Sequence, residues 1–81
     1  MEWNYRYRLQ VGMTLEQATS VLGPAKKHEQ PMQIAVGKEE LHDVVQGDEF
    51  YSWGEWWKGP EIWVGVRDGK ICDKYLNFIG N

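Results

Sequence analysis

The sequence predicts an α+β fold: two short N-terminal helices packed on one face of a three-stranded antiparallel β-meander, which a fourth strand can extend. Three observations predict it. Residues 11–24 (VGMTLEQATSVLGP) contain a helix with both ends marked. From residue 48 onward the apolar period falls from about 3.6 to two. Between two of the alternating runs stands Asp68-Gly69, the dipeptide of a two-residue hairpin turn, whose central positions both need positive φ.

Taken in order, residues 1–11 alternate. Trp3, Tyr5, Tyr7, Leu9 and Val11 share one face, and Asn4, Arg6, Arg8 and Gln10 the other. This reads as an extended arm or strand. Gly12-Met13 then turns the chain into a helix at 14–22. Thr14 is placed to cap the free N–H groups of the first turn, and Gln17, three residues on, completes a capping box. Leu15, Ala18, Val21 and Leu22 recur at helical spacing. Gly23 closes the helix and Pro24 forbids its continuation. Residues 25–33 are polar, broken by Pro31, and read as a loop with room for a short extended piece. Ile34-Ala35-Val36-Gly37 is a brief apolar stretch. A second short helix is expected at 38–46, from Leu41, Val44 and Val45, with Gly47 as terminator. Nine residues are too few to hold a helix without tertiary contacts.

The meander occupies 48–78. Tyr51 and Trp53 point to one side of its first strand. Ile62, Val64 and Val66 form one face of the second, which puts Trp63, Gly65 and Arg67 on the opposite face. The third strand follows the Asp68-Gly69 turn. An apolar sheet face needs a cover, and the two helices are the expected one. The whole chain, 1–81, is one domain.

Composition narrows the function. A chain of 81 residues buries only about 60–65% of its unfolded surface. Five Trp, four Tyr and two Phe therefore suggest a thin core filled by large rings. The net charge of −3 and the absence of any Lys/Arg run longer than Lys26-Lys27 argue against nucleic acid and anionic membrane surfaces as partners. No apolar run approaches the roughly 20 residues of a membrane span, so no direct membrane insertion is expected. With Cys72 the single cysteine, an internal disulfide or a multi-thiolate zinc site is excluded. Localisation is expected to be the cell envelope if an N-terminal export or lipoprotein segment was removed, and cytoplasmic otherwise.

The words VGMTLEQATSVLGPA, FYSW and WVGVRDGKI, in that order, resemble the BamE (SmpA/OmlA) family of small outer-membrane assembly lipoproteins. The shared pieces are Gly12-Met13-Thr14, Leu22-Gly23 and Asp68-Gly69-Lys70, and the resemblance runs from about Leu9 to Tyr75. It implies the fold shared with one half of the β-lactamase-inhibitory proteins, and a role in envelope assembly. Two departures stand out: Pro24 follows Gly23 directly, and the family's lipid-accepting cysteine is missing from this sequence.

Candidate chemistry is sparse. Cys72 as a nucleophile needs a base and a lowered pKa, and His28 and His42 are the only histidines. Glu39, Glu40, His42 and Asp43 can be drawn as metal ligands, but a solvated helix face explains them as well. No P-loop, dinucleotide fingerprint or nucleophile elbow occurs. No catalytic residue, metal or cofactor is therefore expected. The tryptophans carry the sharper reading. Trp56, Trp57, Trp63 and Arg67 form a candidate partner-binding surface on the face turned away from the helices, since exposed Trp and Arg are hot-spot types. The alternative is that these indoles cover Gly54 and Gly65 across strands. The expected function is a non-enzymatic protein-interaction module with an unknown protein partner, which can include a second copy of the chain. The competing reading is a small-ligand or carbohydrate-binding domain, with indoles stacking on sugars beside Glu55 and Glu61.

Overall fold

The computed structural model describes residues 8–37, 40–55, 57 and 59–77. Among these the chain forms one helix, α1 (Leu15–Leu22), and six strands: β1 (Lys26–His28), β2 (Gln33–Val36), β3 (Glu40–Asp43), β4 (Glu49–Trp53), β5 (Glu61–Arg67) and β6 (Lys70–Asn77). Strands β1-β4-β5-β6 form one antiparallel sheet in that order, and β2-β3 a separate two-stranded one. The protein is mostly β, which corrects the expectation of two helices on a three-stranded meander.

The helix is where the capping signals place it. Thr14 Oγ1 accepts from the Gln17 N–H at 3.1 Å, and Gln17 Oε1 accepts from the Thr14 N–H at 2.9 Å. The box is thus reciprocal. At the other end Gly23, at φ +89, donates its N–H to the Thr19 carbonyl. Both ends are tied to the sheet. The Gly12 N–H donates to Ile71 O at 2.7 Å, and the Ile71 N–H donates to Met13 O at 2.8 Å. The Trp53 indole Nε1–H donates to Gly23 O at 2.8 Å. The segment Gly12-Met13-Thr14 and the strand that follows the Asp68-Gly69 turn are therefore hydrogen-bonded neighbours, bridged at Thr14 and Lys70.

The β4-β5-β6 meander follows the alternation. Asp68 and Gly69 stand at φ +55 and +76, the backbone of a type I′ turn, and Arg67 pairs with Lys70. Ile62, Val64 and Val66 join Leu9, Ala18, Trp53 and Ile71 in the core beneath α1, with Met13, Leu15 and Leu22 packed against it.

The predicted second helix at 38–46 is replaced by β3. Residues 38–39 lie outside the described set. The periodicity of Leu41, Val44 and Val45 is too short a signal to fix a helix. Strand β3 instead finds a local partner, pairing Gln33 with Asp43, Ile34 with His42, Ala35 with Leu41 and Val36 with Glu40. The predicted loop at 25–33 contains β1, whose residues Lys26, Lys27 and His28 pair with Ser52, Tyr51 and Phe50. Among the described residues this strand is the fourth member of the sheet. Residues 1–7 of the expected N-terminal arm lie outside the described residues. At its end the alternation fails: Leu9 is fully buried, while Val11 is 56% exposed.

Candidate interaction surface

The two faces of the four-stranded sheet are both covered, by different means. Cross-strand pairing puts Ser52 beside Trp63, and Phe50 and Asp73 beside Gly65, so these residues share the face opposite α1. That face is covered by the chain between β3 and β4. The Gln46 N–H donates to Asp73 Oδ2 at 3.0 Å, and Gln46 O accepts from the Cys72 thiol at 3.2 Å. The backbone of Gln46 lies directly on Gly65: a Cβ there would run into the Gln46 carbonyl oxygen. Val45 is fully buried, and the Val44 N–H donates to Met32 O at 2.9 Å. Six of the seven residues of β5 are buried as a result.

This settles the position of the residues singled out above. Trp63 was expected to be exposed and is 6% exposed, because the sheet has a second cover that the alternation does not encode. Trp57 lies on the β4–β5 connection and is 62% exposed. Arg67 is exposed at the far end of β5, with Nε 3.6 Å from Asp48 Oδ2. Trp56 lies outside the described residues. Trp57 and Arg67 are separated by the length of β5, about 20 Å at the usual rise per residue, with Trp63 buried between them. The structure does not bring the three described residues into one patch. For a sugar-stacking site, Trp57 is the accessible indole among the described residues. Glu61 is 9% exposed with Oε1 accepting from Asn77 Nδ2 at 3.4 Å, and Glu55 is held by Lys26 Nζ at 3.2 Å.

The candidate chemical groups are also apart. Cys72 and His28 lie on the opposite edge strands β6 and β1, three strand spacings or about 14 Å across the sheet. The Cys72 thiol is engaged by the carbonyls of Gln46 and Gly65. His42 Nε2 sits 3.3 Å from Glu40 Oε2, but Asp43 is on the other face of the hairpin and accepts from Gln33 Nε2. Among the described residues no three His, Cys, Asp or Glu side chains converge to hold a metal ion.

Two features were not legible in the sequence. The first is a polar cluster beneath β1. His28 Nε2 lies 2.7 Å from Ser52 Oγ, and its ring rests on Trp63 with centroids 4.2 Å apart at 31°. Burial lowers the His28 pKa from its ordinary 6.5; the Glu61 carboxylate opposes this and Lys26 adds to it. The spacing is that of a nucleophile and its base, but Ser52 is 1% exposed, and a substrate cannot reach its hydroxyl. The Trp63 Nε1 beside it is buried with no hydrogen-bond partner. This cluster was not legible because its histidine ends a three-residue strand, behind two lysines, too short to show a period.

The second feature is the β2-β3 arm. It interrupts what would otherwise be a β1–β4 hairpin and rests on the sheet through Val45 and Gln46. Every β3 residue is exposed. Ile34 is 37% and Leu41 64% exposed, and pairing puts them on opposite faces of the arm. Each strand of the arm pairs only with the other, so among the described residues the outer ladder edge of each is open.

Comparison with known proteins returns no match at the level of protein families, curated proteins or solved structures. No helix among the described residues is long and apolar enough to cross a membrane.

Proposed function

We propose that this chain is a non-enzymatic protein-interaction module whose contact surface is the β2-β3 arm. The observation that carries the reading is the exposure of this arm on both faces. A two-stranded hairpin is marginal by itself in water. Here it is held out from a packed domain, displays Ile34 and Leu41, and leaves backbone groups of both strands available for strand addition. A role in envelope assembly belongs to the same proposal. It draws support from the contact between Gly12-Met13-Thr14 and Lys70-Ile71, which joins the two motifs that resemble the BamE family.

The test is a pair of variants, each used as bait for crosslinked partners. Ile34→Ser with Leu41→Ser removes the apolar surface of the arm. Its effect on stability is expected within about 0.5 kcal/mol, as for other exposed positions, while partners captured by the wild type are lost. Trp57→Ala should leave capture intact. If the arm variant retains the partners and Trp57→Ala loses them, the contact surface lies at the β4–β5 connection and the arm reading fails.

A further inference from the structure

We propose that His28 is an acid-sensitive latch that holds edge strand β1 on the sheet, so that its protonation releases β1 and opens the β4 edge. Strand β1 has three residues, and two of them, Lys26 and Lys27, are exposed. Their exposed side chains reach the half-buried Glu55 at 3.2 Å and Glu49 at 3.8 Å, and ion pairs with one partner in solvent contribute little. The one side chain that seats the strand is His28, between the Trp63 ring and the buried Ser52 hydroxyl.

Protonation changes this seat. A charge enters a half-buried site, and Nε2 must then donate to Ser52 Oγ, which fixes the hydroxyl as acceptor. The charged groups around the ring pull in both directions. Lys26 on β1 repels an imidazolium, while Glu61 on β5 attracts it, as does the Trp63 face. Lys27, Glu29, Asp48 and Glu49 line the open depression beside the ring. Burial outweighs the attractions, and the ring titrates below its ordinary value. The sign follows. The released strand binds the proton more tightly than the seated one, so acid favours release. The latch holds above pH 6.5 and weakens as the pH falls through the lowered value. Release uncovers Ser52, Trp63 and the ladder groups of β4 that β1 occupies, an edge suited to strand addition.

The experiment uses the full chain and His28→Gln, whose amide still bonds Ser52 but does not titrate. Amide exchange is followed for Lys26–His28, Phe50–Ser52 and β5, from pH 7.5 to 5. Relative to His28→Gln, exchange in β1 and β4 of the wild type should accelerate toward a ceiling of about thirty-fold at pH 5. That ceiling is set by a released imidazole of pKa 6.5. Exchange in β5 should not follow. An identical pH response in both proteins overturns the latch. If His28→Gln does not fold, the wild-type histidine titration decides by itself: a His28 pKa at or above 6.5 overturns the proposal, and one below it, moving with β1 exchange, supports it.

Discussion

The helix side and the arm side of the sheet are built on different principles. On the helix side, Ile62, Val64 and Val66 meet Leu9, Ala18 and Ile71, and the contact is side chain against side chain. On the arm side, much of the cover is backbone. Gln46 lies on Gly65 and is held by the Cys72 thiol and the Asp73 carboxylate, with His28, Ser52, Glu61 and Asn77 making polar contacts nearby. The first side gains from apolar burial, about 25 cal/mol per Å². The second depends on close approach and satisfied polar groups, where one misplaced atom leaves a buried donor or acceptor without a partner. The same strand, β5, thus serves a tolerant face and an exacting one.

The sharpest way to break this comparison is Gly65→Ala. The added methyl meets the Gln46 carbonyl, which is backbone and cannot rotate away. We expect a loss of about 3 kcal/mol or more, in the range of severe overpacking. The damage should be one-sided. Limited proteolysis should cut within 29–48, while the helix signal in far-UV circular dichroism persists below the unfolding transition. A variant as stable as the wild type would mean that the arm base lifts from the sheet without cost, and that the two sides are not distinguished by their packing.

Trp53→Phe probes the helix side. Trp53 is 3% exposed and its Nε1–H holds the Gly23 carbonyl at the end of α1. Phenylalanine keeps most of the apolar contact and loses the donor. The expected cost is about 2 kcal/mol, roughly half from the hydrogen bond and half from lost volume. Urea unfolding followed by circular dichroism measures it. A cost near zero would show that Gly23 O finds water, and that the helix end is not fixed by the indole.

What the sequence made legible divides along the same line. Capping at Thr14 and Gln17, the Asp68-Gly69 turn and the apolar alternation of β5 are local signals, and each element they announce is present. The second cover was not legible. Gly65 looked like a gap for an indole because a glycine does not state what approaches it. Trp63 looked exposed because alternation assigns a residue to a face but not that face to solvent. Strands β1 and β3, of three and four residues, are too short for a period, and partners distant in sequence or across a turn decide them. The interaction reading shifts accordingly, from the face of Trp63, which is buried, to an arm whose second strand lies where a helix is expected.

The smallest expected effect is also the most specific. Thr14→Ala should cost about 1 kcal/mol, typical of a lost N-cap, and lower the melting temperature by about 4–8 °C for a domain of this size. The denaturant slope should not change, because the surface exposed on unfolding is the same. The reciprocal bonds of Thr14 and Gln17 add a stricter requirement. Once the threonine side chain is gone, the first turn has already lost part of its order, so Gln17→Ala should cost less in that background than in the wild type. The shortfall is the coupling between the two halves of the box. Strict additivity would show that each cap acts alone. In that case the helix entry would be set mainly by the backbone bonds of Gly12 and Met13 to Ile71, and the helix side, like the arm side, would rest on the backbone at its point of attachment.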